Sequence, residues 1–469
     1  MRANLSSIKS SDASSKRGFQ LSLQPATAWT AILVLSIFTA LLIIAGGGKI
    51  LNLVFPAGSL VVGIFLYFRA PLLYMGFSWW LWFLTPLVRR LADYRSGFND
   101  PSPILLAPYL VSLITIITFW QYLPKIHQLG GLPFLLSTTG VFYGFLIGLI
   151  NKPGFPVARD CLDWLTPIFL GFYLFVNWRD YPHYRQNIQR VFIWGVLVTG
   201  IYAIFQYRKI PEWDLFWVNN VGMNSVFVGS SDEAGSIRMF STMQSTEVFA
   251  AFISASLLFL LTSPGVLSLS ASLVGYFALL FTFVRSAWLG WLVGFLTLVT
   301  SLTAKFQMRL ILFVLILAVC ILPLATTEKI FSEQLNERFA SLSNIQEDGS
   351  AKGRSENFRE SIGTALFTIV GEGLGGSGFD NNLLAILFKL GWIGSILYVS
   401  GLASLIFRIF QLSGNSFDPF IGAARAVVIS ALVRIPVNGS LLGISGLLLW
   451  GFFGLAIAGS NYYKRILKN

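Results

Sequence analysis

The chain has 469 residues, 55% of them hydrophobic and 12% charged, with a mean hydropathy of +0.70 and a formal charge of +12. A soluble domain is about one quarter charged, so this composition excludes an ordinary water-soluble protein. It carries no basic, aromatic soluble module and therefore no nucleic-acid partner; the positive charge belongs to membrane-flanking loops and anionic lipid.

Residues 1–26 form a polar, Ser-rich tail with Arg2, Lys9, Lys16 and Arg17 against Asp12, read as cytoplasmic. The apolar run that follows lacks a clean small-residue cleavage site and reads as an uncleaved first span. Apolar runs of about 20 residues then recur along the whole chain, each long enough to cross a hydrocarbon core of roughly 30 Å as a helix. They fall at 28–46, 50–68, 71–88, 103–121, 132–150, 158–177, 190–206, 245–262, 265–284, 286–303, 308–325, 380–407, 417–435 and 439–459. The expected fold is an all-α, polytopic integral membrane bundle over residues 27–469, with about 14 transmembrane helices (12–14).

Two loops are longer than the rest, 207–244 and 326–379. Long loops escape the positive-inside rule, and the bases of the remaining loops favour both termini in the cytoplasm. The two long loops are then extracytoplasmic. The cluster Arg89, Arg90 and Arg95 falls on the outer side, against the rule. In loop 326–379 acids outnumber bases, so an anion site there depends on specific arginines and not on bulk charge.

Arg285 lies between apolar runs in YFALLFTFVRSAWLGWLVGFL. An ionised Arg in hydrocarbon costs at least roughly 2.5–3.5 kcal/mol, so it faces a polar cavity as an anion ligand or snorkels to the interface. Gly290 and Gly294 allow a close helix contact beside it. Arg238 precedes the next span, with Glu247 just inside it: an anion ligand at a helix mouth, or a solvated loop residue. Arg354 and Arg359 open an amphipathic helix about 140° apart in phase, so at most one faces a shared pocket. Gly373 to Gly378 matches GxGxxG but follows no strand, which rejects a dinucleotide loop. Gly373 and Gly375 instead turn backbone N–H groups toward an anion or shape a tight re-entrant corner. Asp380 and Asn381 come next, where a helix cap is also expected. The two cysteines, Cys161 and Cys320, are far apart and form no CxxC pair. The two histidines, His127 and His183, fall in cytoplasmic loops, and no metal-binding motif or Walker A sequence occurs.

The order RMFSTMQSTEVFAAF, FTFVRSAWLGWL, GRSENF and GEGLGGSGFDNNLLAILFKLGWIG, over about residues 230–400, resembles the O-antigen ligase and polymerase (Wzy-type) superfamily of membrane glycosyltransferases. The resemblance implies that Arg238, Arg285 and Arg354 hold the diphosphate of an undecaprenyl-diphosphate-linked glycan, with no metal and no cofactor. It places Asp380 and Asn381 at the family's His-Asn or Asp-Asn position, and Asp380 or Glu372 as the base for the acceptor hydroxyl. Asp380 stands where ligases commonly carry His, which turns the expectation toward polymerisation of surface or extracellular polysaccharide. The alternatives are a ligase acting on a lipid or protein acceptor, and a lipid-linked oligosaccharide flippase. The implied setting is the outer face of a bacterial plasma membrane, among membrane lipids, with flippase and chain-length-regulator proteins as partners.

Overall fold

The computed structural model describes residues 26–222, 237–263, 265–326, 349–376, 381–411, 418–437 and 441–466; the side chains of 317, 320–326 and 349–357 are not among those described. The described residues form helices and no strand. This follows from a bilayer's demand that backbone groups be paired within the segment. Among the described residues eight helical stretches, the interrupted Pro103–Lys125 counted as one, are long and apolar enough to cross a membrane, which makes the protein membrane-embedded.

In chain order the helices are α1 (Ala26–Ile44), α2 (Gly48–Arg69), α3 (Pro71–Ser96), α4 (Ala107–Leu113), α5 (Ile116–Tyr122), α6 (Leu132–Asn151), α7 (Gly154–Val176), α8 (Tyr181–Arg208) and α9 (Glu212–Val221). There follow α10 (Thr246–Leu260), α11 (Val266–Phe281), α12 (Arg285–Thr300), α13 (Ala304–Thr326), α14 (Gly349–Phe367), α15 (Asn382–Gln411), α16 (Pro419–Arg434) and α17 (Gly443–Ile466).

The centre of the bundle is α17, almost wholly buried from Ile444 to Gly459. It packs on α7 through small residues: a Cβ placed at Gly454 would lie 2.1 Å from the Gly171 carbonyl. Two backbones approach closely here because neither presents a side chain, the usual way to gain packing where lipid removes the hydrophobic drive. Around α17 an aromatic cluster joins α3, α8 and α10, with Phe83 to Phe252 at 4.4 Å and Phe259 to Phe452 at 4.6 Å between ring centroids.

Several boundaries differ from the expected spans for local reasons. The run at 103–121 is broken into a 3-10 turn at Pro103–Leu106, α4 and α5. α3 continues past Val88 because Arg89, Arg90 and Asp93 are buried in ion pairs instead of ending the helix. α8 begins at Tyr181, nine residues before the expected span, since Tyr181, Tyr184 and Ile188 face the core while His183 faces out. The division near Arg285 holds: α11 ends at Phe281, Phe283 adopts a left-handed φ of 54°, and α12 starts on Arg285. The loops 207–244 and 326–379 contain helices of their own, α9 and α14.

Candidate functional site

Contacts between helix ends gather α3, α6, α8, α11 and α16 C-termini with α7, α10, α12, α15 and α17 N-termini at one end of the bundle, which also carries α9 and the 369–376 segment. The polar chemistry is concentrated there.

Segment 237–242 is pinned from three sides. Phe240 and Ser241 donate their backbone N–H groups to Gln206 Oε1 on α8, at 3.1 and 2.9 Å. Thr242 donates its hydroxyl to the Phe83 carbonyl on α3 at 2.6 Å. Met239 N–H reaches the Phe281 carbonyl at 3.3 Å, which lays Arg238 alongside the turn that carries Arg285. Both of the arginines expected near a helix mouth are therefore brought to one corner.

Arg90 holds this segment from below. Its guanidinium donates to Asp214 Oδ1 and to the Ser241 carbonyl, each at 2.7 Å, and lies over the Phe240 ring at 4.9 Å. Arg89 is likewise buried, with Asp93 and Asp100 each at 3.2 Å. Of the arginines that ran against the charge rule, Arg90 is thus a clamp for the 207–244 region, Arg89 ties α3 to the loop after it, and Arg95 is exposed. Burial pushes the Asp214 carboxyl above its ordinary value, and Arg90, Gln206 and Tyr202 pull it back.

Glu247 opens α10, behind the cap in which the Ser245 hydroxyl accepts from Val248 N–H at 3.3 Å. It is exposed and acts at longer range on Arg434, the last residue of α16. Arg434 is 5% exposed. Its guanidinium has no ion pair or hydrogen-bond partner among the described residues, and its Nε is fully enclosed. An isolated buried charge costs several kcal/mol, about 3–5 where one member of a pair is removed. Its stem crosses α12 at Gly290, where a Cβ would sit 2.9 Å from Arg434 Cδ. Gly290 is about 7.5 Å along the helix from Arg285. Gly294 makes the same close contact with α16, 2.9 Å from the Ala426 carbonyl, as the glycine spacing led us to expect.

The glycine-rich stretch lies elsewhere on this end, packed on α6, α7 and the kink of α15. Glu372 N–H donates to the Phe388 carbonyl at 2.7 Å, Leu374 N–H to the Gly144 carbonyl at 2.9 Å, and Gly375 N–H to Asp160 Oδ2 at 2.9 Å. Of the two readings for the glycines, the Gly375 amide is taken by the protein's own Asp160 carboxylate. The re-entrant corner is what forms. Gly371, Gly373 and Gly375 all have φ between 79° and 88°, and α15 breaks at Gly391 (φ 59°, ψ −175°) to receive the strip. A Cβ at Gly373 would lie 2.2 Å from the Gly148 N, with backbone on both sides. Gly373→Ala is therefore expected to destabilise the fold by several kcal/mol and lower membrane yield, whereas Gly376→Ala, which meets only the flexible Lys152 tip, is tolerated. Thermal scanning of both purified variants checks this; equal stability would remove the strain argument.

Glu372 is exposed, with Lys152 Nζ 4.0 Å away. Asn381 accepts from Leu383 N–H at 2.9 Å and so works as a cap for α15. Asp380 lies outside the described residues. Arg354 falls in α14, its side chain outside the description; its position is one turn before Phe358, which packs with Ile362 against Leu384 and Phe388 of α15. Arg359 is exposed, off that stripe. Arg359→Ala should change activity and stability little, within about 0.5 kcal/mol. A total loss of function in that variant would show that the helix face was misassigned.

Sequence reasoning missed Arg434 and the buried groups around α7. Lys389 Nζ is 2.6 Å from Asp160 Oδ2, and Tyr109 donates to Asp163. The signal was present: each is a charge inside a span read as apolar, 417–435, 158–177 or 380–407. Among the described residues no cluster of His, Cys, Asp or Glu could hold a metal. Compared with known proteins, the chain matches no family model and no curated protein.

Proposed function

We propose that the protein is a membrane glycosyltransferase that polymerises lipid-diphosphate-linked oligosaccharide repeats at the outer face of a bacterial plasma membrane. The observation that carries the proposal is the corner of α10, α12 and α16. There the segment carrying Arg238 is bonded to the end of α11 just before Arg285, and the enclosed Arg434, with no ion pair among the described residues, packs on α12 within the electrostatic reach of Glu247. A buried guanidinium with no acid paired to it among the described residues is suited to bind an anion. Arginine stays charged and pairs bidentately with phosphate, which suits a lipid diphosphate.

In the proposed reaction the acceptor hydroxyl oxygen forms a bond to the donor anomeric carbon as the bond from that carbon to the diphosphate oxygen breaks. The hydroxyl proton passes to a carboxylate, Asp380 or Glu372, and the diphosphate leaves with the bonding pair. Negative charge grows on the diphosphate in the transition state, and preorganised arginines stabilise it there. Arg354 joins this set by the family resemblance. Of the two carboxylates, Glu372 is exposed, with Lys152 Nζ 4.0 Å away, and Asp380 stands at the family's His-Asn or Asp-Asn position by the resemblance. The bundle is read as about 14 crossings with both termini cytoplasmic, counting α10, α11, α12 and α16 as short spans.

A flippase would carry its charges along a central path. Here the ion pairs sit at the bundle ends, and the large cavity is lateral and mostly apolar, which supports an enzyme. The test is to delete the gene and size both the surface glycan and the lipid-linked pool. Accumulated single repeats support the polymerase, accumulated long lipid-linked chains mean a ligase, and an unchanged pool sinks both. Purified protein should elongate lipid-linked repeats at full rate in EDTA; strict dependence on a divalent ion would count against the arginine mechanism.

A further inference from the structure

A cavity of about 1370 Å³ opens between α1, α3 and α8. Pockets for compact small molecules run to roughly 300–1,000 Å³, so this one is too large for such a ligand and is shaped as a groove. From Leu72 to Val88 along α3 it extends about 24 Å at 1.5 Å per residue. Its α1 wall presents hydrocarbon: Ser36 and Thr39 donate their hydroxyls to the Ile32 and Leu35 carbonyls one turn back, at 2.9 and 2.8 Å. Three exposed groups gather toward one end, Arg69 at the close of α2, His183 on the first turn of α8 and Arg190 two turns further on. None of the three has an ion pair among the described residues. All three helices that wall the groove are long and apolar enough to span a membrane.

We propose that this groove is a binding site for one anionic phospholipid, its phosphate between Arg69 and Arg190 and an acyl chain along α3. The pairing of a hydrocarbon wall with a cationic end matches that chemistry and neither a free anion nor a neutral lipid. The ends of α2 and α8 that carry the cations are opposite to the end that carries Arg285, so the lipid is a structural or regulatory partner and not a second donor substrate.

The test is native mass spectrometry of the full chain, purified from vesicles of equal phosphatidylglycerol and phosphatidylcholine. Wild type should keep one phosphatidylglycerol per chain. Arg69→Gln with Arg190→Gln leaves the groove open and should weaken its affinity for phosphatidylglycerol roughly thirtyfold, the equivalent of about 1 kcal/mol per basic residue, read as a fall in occupancy. Ser36→Trp with Ala40→Trp keeps the cations and fills the groove, and should lower occupancy as far. Equal retention of the zwitterionic lipid, or an effect of neither pair, overturns the proposal. Displacement by millimolar inorganic phosphate overturns it too, since it would mark a simple anion site. All four positions are exposed, so the variants should keep the wild-type fold, and a thermal scan of each confirms it.

Discussion

Arg285→Ala should cut chain elongation roughly 10²–10³-fold while the protein stays folded in the membrane. That is the measured scale for removing one preorganised group that stabilises developing charge. The same loss is expected for Arg434→Ala, for a physical reason specific to its place. Arg434 is enclosed at the end of α16 with no described partner, so deleting it removes an unfavourable buried charge as well as a ligand contact. The apo protein should therefore become no less stable, or slightly more stable, as activity falls. Arg285→Lys should keep the charge and lose the bidentate geometry, giving an intermediate rate. The measurement is elongation of lipid-linked repeats by purified protein, together with a thermal scan. Normal polymer length in both alanine variants would remove the proposed mechanism. Loss of activity that tracks loss of folded protein would reduce Arg434 to a structural residue.

The largest effect on stability is expected at Arg90. Arg90→Ala strands the Asp214 carboxylate, whose side chain is 0% exposed in the pair. Breaking such a pair costs about 3–5 kcal/mol. It also frees the Ser241 carbonyl, and with it the segment that presents Arg238. Tm should fall and proteolysis in 207–244 should rise. The pH dependence has a definite sign. Burial already pushes the Asp214 carboxyl up, and Arg90 is the strongest influence pulling it down. Without Arg90 the folded state binds the Asp214 proton more tightly than the unfolded chain does. Stability of the variant then falls as pH rises through that carboxyl's titration, and its deficit against wild type shrinks in acid. Replacing both partners, Arg90→Met with Asp214→Leu, should recover much of the loss. A variant as stable as wild type at neutral pH would mean that the pair does not hold the segment.

The two halves of the proposed site were unequally legible. Arg285 stood out because a charge between apolar runs is costly wherever the chain folds, and the break on which it sits was visible as a run too long for one span. Arg238 was found from its place before a span, but what positions it was not: Gln206, Phe83 and Phe281 are each more than 30 residues away in sequence. The glycine cluster was legible as a corner or an anion cradle, because local spacing cannot say which acceptors the amides will meet. Asp160, 215 residues before Gly375, decided that.

By itself the sequence determined that the chain lies in a membrane as helices. Apolar runs of spanning length leave the backbone no other way to pair its polar groups in lipid. It also determined which few charged residues would be costly to bury and so where function was to be sought. Only the tertiary structure decided which of those charges are matched. Arg89, Arg90 and Lys389 are matched by acids from their own helix, the next loop or distant helices, while Arg434, placed by a glycine contact with α12, has no ion pair among the described residues. Burial is costly for each of them, but compensation is largely a long-range property, and packing distributes it.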